Sequence, residues 1–587
     1  MKTNLKKYFL AAALTPMLLS SCGEGFLDEI NPNQQTPATF WVNEENAIKG
    51  LSAAYNPFRR MMYGYYGAHE GIFHFQMRSD DMYPTRGEEA PIWQALSFTN
   101  TPNTKNNQWG NIYNGLALAN EFLYNAPNVP MDQTKLDQMM GEAYFIRGFW
   151  FFRLRCDFNE GVIRTLPQVA DSKQYGLSSP EEILKQCIED FTKAKQLLPK
   201  TRPASENGRV TQGAAIAMLG KALLWNRDYE KAKTELDPLI HGYGYDLVAD
   251  YSHNFRDDTE FNEESVFEID YANFGGGSKW GNSTGNNAFM GMNMNHFFAP
   301  GTGVKDVNGG WYKMQPSPYL IYQFVQEERP KGSDSRWDKR LYTNCYFKYS
   351  DYNDVKEDEM FFAGKVPFDS IFYKTVYKDN KWKLGAYSPA YPEIDGKMGR
   401  FIWKKWSTWW RPEGSSMYGT DVTRLTNLRV MRFAEVLFLH AEAALETGDL
   451  KSAMDDINRI RERAGLVKKN LSDKNEIMEE LRNQKMLEFA GENIRWDDLV
   501  RWYSYEELKA LLLKRKSDSC KYIEGGQIHF PQDKEARTIL VPVAGYPSDK
   551  LIDTQNYSGF EKKHMYFPIP QAEVDANQAL EQKAEWR

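Results

Sequence analysis

Aromatic rings set among planar polar groups are the residues of this chain best suited to chemistry. One segment reads Asp80-Asp81-Met82-Tyr83-Pro84-Thr85-Arg86, followed by Trp93. A second, residues 280–312, carries Trp280, Asn282, Asn286, Asn287, Trp311 and Tyr312. The third is Trp403-Lys404-Lys405-Trp406-Ser407-Thr408-Trp409-Trp410-Arg411. There Trp406 and Trp409, or Trp406 and Trp410, fit one face of a helical turn. Rings can cover flat apolar C–H faces, while amides, carboxylates and Arg forks fix hydroxyls, so the mixture suits a saccharide. The candidate contacts are Asp81, Tyr83, Arg86, Trp93, Trp280, Asn282, Trp311, Trp406 and Trp409. Most Trp and Tyr side chains of a large protein serve its core instead. Trp109, Trp150 and Trp225 lie on helical stripes and are assigned there.

Bond-making chemistry has weaker carriers. Gly281-Asn282-Ser283-Thr284-Gly285 has GxSxG spacing, but glycines precede it and Asn286-Asn287 follows, so the strand and helix of a nucleophile elbow are missing. His69 and His74 fall on different faces of a helix or strand. No HExxH, P-loop or GxGxxG is present. Glu488, Glu492 and Arg495 sit at i, i+4 and i+7 of one expected helical face, with Asp497, Asp498 and Arg501 beyond. Their interleaved signs read as an ion-pair network that orients helices, not as an acid/base pair. The chain is therefore expected not to be an enzyme. Cys156, Cys187, Cys345 and Cys520 make no CxxC pair, and both buried thiols and up to two disulfides remain open. No metal site and no cofactor are expected, although loops rich in Asp and Asn leave a structural Ca²⁺ open.

These residues need a frame, and helical patterning supplies it to about residue 240. Residues 109–126 and 135–158 are apolar at helical spacing. Ser179-Pro180-Glu181-Glu182 is a capping box with Pro at the first helical position, and it opens a helix to about Leu198. An internal repeat then appears, offset by 221 residues. Lys221-Ala222-Leu223-Leu224-Trp225 and Asp228-Tyr229-Glu230-Lys231-Ala232 recur as Glu442-Ala443-Ala444-Leu445 and Asp449-Leu450-Lys451-Ser452-Ala453. Each copy is helix, tight turn, helix, the tetratricopeptide-like plan whose apolar stripe must stack on neighbours.

Residues from about 245 to 425 are instead rich in Gly, Asn, Tyr and Trp and lack helical period; long irregular insertions of this kind are usually functional. The expected class is mainly α: a helix-pair scaffold carrying a loop-rich, aromatic-rich irregular region. The expected organisation is a single domain over residues 46–587. Its scaffold covers 46–245 and 426–587, and its ligand region runs from about 246 to 425.

The first residues read as an address. Lys2, Lys6 and Lys7 precede a mostly apolar run from Tyr8 to Leu19, too short to span a bilayer. Leu19-Ser20-Ser21-Cys22 then resembles a bacterial lipobox, so residues 1–21 are expected to be a signal peptide and Cys22 the acylated residue. More than one acyl chain makes such anchoring stable. Residues 22–45, with Gly, Pro, Asn and Thr but no period, read as an extended lipidated tether. The formal charge of the full 587 residues is −7, and removing three lysines makes it −10. That mildly acidic balance argues against nucleic acid as a partner. With 42 % apolar and 26 % charged residues, the chain is an ordinary globular one and not a disordered one.

Four strings carry a resemblance. They are LRVMRFAEVLFLHAEAALE at 428–446, INRIRERAGL at 457–466, KMLEFAGENIRWDDLVRW at 485–502 and YFPIPQAEVDANQAL at 566–580. With Cys22 and Phe26-Leu27-Asp28, they are similar, in the same order, to the SusD/RagB family of outer-membrane nutrient-binding lipoproteins. The end departs slightly, reading Asn577-Gln578-Ala579-Leu580 where the family continues Asn-Pro-x-Leu. The resemblance implies a right-handed set of tetratricopeptide-like helix pairs with a loop-rich region laid against it. It implies a lid on a SusC-type TonB-dependent transporter that captures a nutrient, usually a glycan, without cutting it. Ligand contacts would fall in loops, including the early one at residues 80–93. Glu24, Asp28 and Glu29 resemble the outer-leaflet signal of Bacteroidetes lipoproteins, which places the protein on the cell exterior. RagB-like members take peptides, which keeps peptide cargo as an alternative, and a surface hydrolase is a third reading.

Overall fold

The structure is a computed structural model that describes residues 37–60, 78–84, 108–168, 170–271, 298, 314–335, 337–346, 375–378, 381–384, 393–394, 397–398, 402–407, 426–521, 523–524, 527–529, 538–540 and 557–587. Its frame is a series of helices: α1 (Glu44–Tyr55), α2 (Gln108–Asn125), α3 (Gln133–Phe158), α4 (Pro180–Leu197), α5 (Gln212–Trp225) and α6 (Tyr229–His241). Two short helices, α7 (Pro318–Phe324) and α8 (Lys339–Asn344), belong to the irregular stretch. The series resumes with α9 (Phe433–Glu446), α10 (Leu450–Arg463), α11 (Lys474–Glu488), α12 (Arg495–Trp502) and α13 (Tyr505–Lys521).

Local chemistry sets these helices. The expected capping box opens α4: Glu182 N–H donates to the Ser179 hydroxyl at 3.2 Å, and Ser179 N–H donates to the Glu182 carboxylate at 2.7 Å. Helix α5 is apolar nearly all round and is buried nearly all round. Gly220 lets it approach α6, since a Cβ there would stand 2.5 Å from the Leu236 side chain.

The repeat holds residue for residue. Gln212 corresponds to Phe433 and Tyr229 to Leu450, so α5–α6 recurs as α9–α10. Even the turns agree. Arg227 (φ 61°) and Gly448 (φ 88°) are both left-handed. The next amide closes the helix end in each copy, from Asp228 to the Leu223 carbonyl at 2.9 Å and from Asp449 to the Ala444 carbonyl at 2.8 Å.

Packing runs in chain order from α2 through α6, and then α6 packs directly on α9. Lys221 on α5 also reaches Glu435 on α9 at 2.7 Å. Residues 242–432 therefore leave the stack at one helix and rejoin it at the helix next door. Six short strands are relevant: β1 (Met82–Pro84), β2 (Ser265–Ile269), β3 (Met314–Pro316), β4 (Cys345–Tyr346), β5 (Ile402–Trp403) and β6 (Leu428–Arg432). The antiparallel pair β2–β6 (Leu428↔Ile269, Arg432↔Ser265) brackets that excursion.

Trp109, Trp150 and Trp225 are core residues, as their helical stripes predict, at 4 %, 0 % and 7 % exposure. Phe58 stacks on Trp150 with centroids 5.3 Å apart. Cys156, Cys187 and Cys345 are buried free thiols, and the Cys520 side chain lies outside the described residues. Among the described residues no helix is long and apolar enough to cross a membrane.

Two expectations need correction. Helix begins inside the supposed extended tether, with one turn at Pro37–Phe40 and α1 at Glu44. The Asn43 side chain accepts the Asn46 N–H at 2.9 Å, and Glu44 and Glu45 occupy the first turn, which together nucleate α1. Nor do Glu488, Glu492 and Arg495 share one helix. Helix α11 ends at Glu488, Gly491 (φ 70°) and Asn493 (φ 64°) turn the backbone left-handed, and α12 starts at Arg495.

Candidate functional site

The turn between α11 and α12 is where the three aromatic segments come together. Strand β1 belongs to the first segment and β3 lies just beyond the second. They pair antiparallel, with Met82 opposite Pro316, Tyr83 opposite Gln315 and Pro84 opposite Met314. Ser317 N–H donates to the Asp81 carbonyl at 2.9 Å and extends that ladder. The third segment starts on β5, which pairs with β4 (Cys345↔Trp403) and lies beside β3. Phe298, from within the second segment, packs edge-on against Trp403 at 5.8 Å and Trp406 at 6.4 Å.

Gly491 joins them. Its N–H donates to Asp81 Oδ2 at 3.1 Å, and its carbonyl accepts the indole N–H of Trp406 at 3.1 Å. Only glycine fits: φ is 70°, and a Cβ would stand 2.9 Å from the fully buried Trp403 ring. Asp80 adds a second tie to α12, accepting from Arg495 Nε at 2.7 Å and Nη2 at 3.1 Å.

An ionic hub lies behind this root. Glu488 is fully buried and accepts from Arg432 at 2.9 Å, from Arg340 at 3.2 Å and from Arg463. Burial alone would raise its pKa, but the Arg463, Arg432 and Arg340 charges outweigh burial and hold it well below the carboxylate range. Glu492 takes Arg432 in a fork, at 2.9 and 2.8 Å, and Lys405 at 2.9 Å. Burial pulls Lys405 down to about 8 and Lys404 down to about 7. Saturated carboxylates of this kind hold elements in place and do not exchange protons with a substrate, in line with the ion-pair reading of these acids.

Two candidate contacts are corrected by this geometry. Asp81 is 1 % exposed and its carboxylate is used by Ser79 and Gly491, while burial raises its pKa. Trp406 is 8 % exposed with its polar tip spent on Gly491. Neither presents a surface to a ligand; both hold the root. Local density of Trp signalled a platform, but burial is decided by chain segments distant in sequence. Tyr83 is placed on β1 by its backbone, and its side chain lies outside the described residues. So do Arg86, Trp93, Trp280, Asn282, Trp311 and Trp409, together with Cys22, His69, His74 and Ser283. Gly491 itself was not singled out from sequence; a glycine three residues past an amphipathic run was the available signal. Among the described residues no group of three or more His, Cys, Asp or Glu is placed to hold a metal ion.

Comparison with known proteins agrees with this architecture. A family model described as "Starch-binding associating with outer membrane" matches residues 25–224, and one described as "SusD family" matches residues 263–586. A SusD-like protein of Bacteroides ovatus is 22 % identical, over 99 % of this chain and 98 % of its own length. SusD-like protein P38 of Formosa agariphila is 24 % identical, over 82 % of this chain and 88 % of its own. Among solved structures, a SusD homolog from Bacteroides thetaiotaomicron superposes with TM-score 0.68 at 21 % identity, covering 94 % of this chain and 98 % of that one. A laminarin-binding SusD-like protein superposes with TM-score 0.67 at 21 % identity, covering 93 % and 100 %. These structures share the mainly helical fold, and with the family model spanning more than half of its residues the chain belongs to the SusD family.

Proposed function

We propose that this chain is a non-catalytic saccharide-capture lipoprotein of the outer membrane. Cys22 carries the lipid, residues that follow it lead to the scaffold, and the protein faces the cell exterior. It hands its ligand to a SusC-like TonB-dependent transporter. The observation that supports the reading is the shared root: three segments rich in Trp, Tyr, Asn and Arg leave the scaffold from one place, around Gly491. A rigid root lowers the entropy lost when loops close on a ligand, which is how a preformed surface gains affinity. Stacking on C–H faces and hydrogen bonds to hydroxyls suffice for reversible capture and need no cofactor.

Calorimetry of the mature chain against a panel of oligosaccharides, starting with laminarin because one fold neighbour is named for it, tests this. Binding without shortening of the polymer in product chromatography is the expected result. Binding of peptides and of no saccharide, or release of shorter products, overturns it. Co-elution of a barrel transporter with the tagged protein from outer-membrane extracts checks the delivery step, and its absence removes that part of the reading.

A further inference from the structure

A cleft lies on the scaffold whose lining includes neither Gly491 nor Asp81, Trp403 or Trp406. It occupies about 490 Å³ between the α5–α6 turn, the start of α4 and helices α9, α11 and α12. Arg155, Arg227, Arg482 and Arg501 line it, with Trp225 and Trp502. The rings are already covered by cations. Arg155 lies 4.9 Å over Trp225, and Arg482 and Arg501 lie 5.6 and 5.4 Å over Trp502. They are supports for guanidiniums and not open platforms for a neutral sugar.

Two features point to a negatively charged ligand. The first is donor capacity left over. Among the described residues Arg501 spends its terminal nitrogens on Glu442 and Asp498 and Arg482 donates to Glu479 at 2.7 Å, but Arg155 donates only to the Tyr566 hydroxyl at 3.4 Å. Among the described residues neither Arg155 nor Arg227 forms an ion pair with a carboxylate. The second feature is internal to the repeat. At the corresponding turn the left-handed position is Gly448, the residue that adopts φ 88° without strain. Here the chain keeps an exposed arginine at φ 61°, at a steric cost of about 1 kcal/mol, and that arginine lines the cleft.

We propose that this cleft receives a carboxylate or sulfate group carried by an acidic saccharide, held by Arg155, Arg227 and Arg482. Guanidiniums bind both oxyanions in planar forks. Glu181 and Tyr229, which also line the cleft, supply partners for the hydroxyls that accompany such a group on a sugar ring. The inference rests on the reading of the protein as a saccharide binder and adds the charge class of one ligand.

Calorimetry of the mature chain with oligogalacturonate, a sulfated glucan and the unmodified glucan tests it, on the wild type, Arg227→Gly and Arg155→Gln. Both acidic probes, or one of them, bind the wild type, and the two arms identify carboxylate or sulfate as the group. Each variant weakens that binding about tenfold, the size of one lost charge-assisted contact, and leaves the unmodified glucan unaffected. Arg227→Gly also unfolds at equal or higher urea concentration than the wild type, because it relieves the backbone, so its weakened binding is not a folding defect. Acidic saccharides that bind both variants as tightly as the wild type overturn the inference. If only the unmodified glucan binds, the cleft assignment falls and the saccharide reading stands; if no saccharide binds, both fall.

Discussion

Replacing Gly491 by alanine is the sharpest perturbation the root offers. The backbone at 491 is left-handed, and an L side chain there costs about 1–2 kcal/mol. The added Cβ would also stand 2.9, 3.1 and 3.2 Å from three atoms on the outer edge of the Trp403 indole. Trp403 is fully buried and cannot swing into solvent, so relieving that overlap costs about 1–3 kcal/mol more. The sum is about 2–5 kcal/mol of destabilisation, on the large side for one methyl group. Urea unfolding followed by tryptophan fluorescence reads it as a shift in midpoint.

The double variant Gly491→Ala with Trp403→Phe separates the two causes. A phenyl ring lacks the overlapping edge, so it returns the steric part and leaves the backbone part. Because Gly491 also seats Asp81 at the start of the first segment, a displaced backbone there shifts β1, and saccharide affinity falls in the single variant along with stability. A loss under about 0.5 kcal/mol, or an identical loss in the double-mutant cycle with no coupling, refutes the argument that this glycine is required by the packed indole.

Further outcomes follow from the same geometry. Trp406→Phe loses one buried hydrogen bond and part of a ring, so it destabilises by about 1–3 kcal/mol while saccharide affinity per folded molecule stays within a factor of two; a larger affinity loss would return Trp406 to the ligand surface. Glu488→Gln leaves buried Arg432, Arg463 and Arg340 undercompensated and costs about 3–5 kcal/mol by urea unfolding. The native pKa of Glu488 lies below its unfolded value, so its stabilisation is present above about pH 4.3 and is lost as pH falls; wild-type stability therefore drops more steeply in acid than that of the variant. Burial lowers His564 to about 4, so the unfolded chain binds a proton that the native one refuses between about pH 6.5 and 4. Stability falls as pH drops through that window, and His564→Gln flattens the profile there in a series of melts.

Much of the scaffold was legible because helical information is local. The capping box at Ser179, the apolar stripes of α2 and α3 and the recurrence of α5–α6 as α9–α10 all depend on residues within a few turns of one another. The charged string after residue 485 showed its ion pairs but not its break, since a helical period was assumed through Gly491 and Asn493. The site was less legible. That Tyr83, Phe298 and Trp403 leave from one root is a matter of contacts across hundreds of residues, which no spacing rule encodes. Trp406 shows the converse: its neighbours in sequence suggested an exposed surface, and its neighbours in space, Gly491, Phe255 and Phe298, enclose it.

The direct seat of α6 on α9 has a consequence for descent. Because the stack is already sealed between those two helices, whatever part of the intervening chain lies outside the Gly491 root, the Glu488 hub and the β2–β6 pair carries no duty to keep the pile upright. It can lengthen, shorten or change its lettering generation by generation while the chassis keeps its shape. A lineage built this way can retune what it recognises at little risk to folding, and relatives with the same skeleton but unlike appetites are the natural outcome.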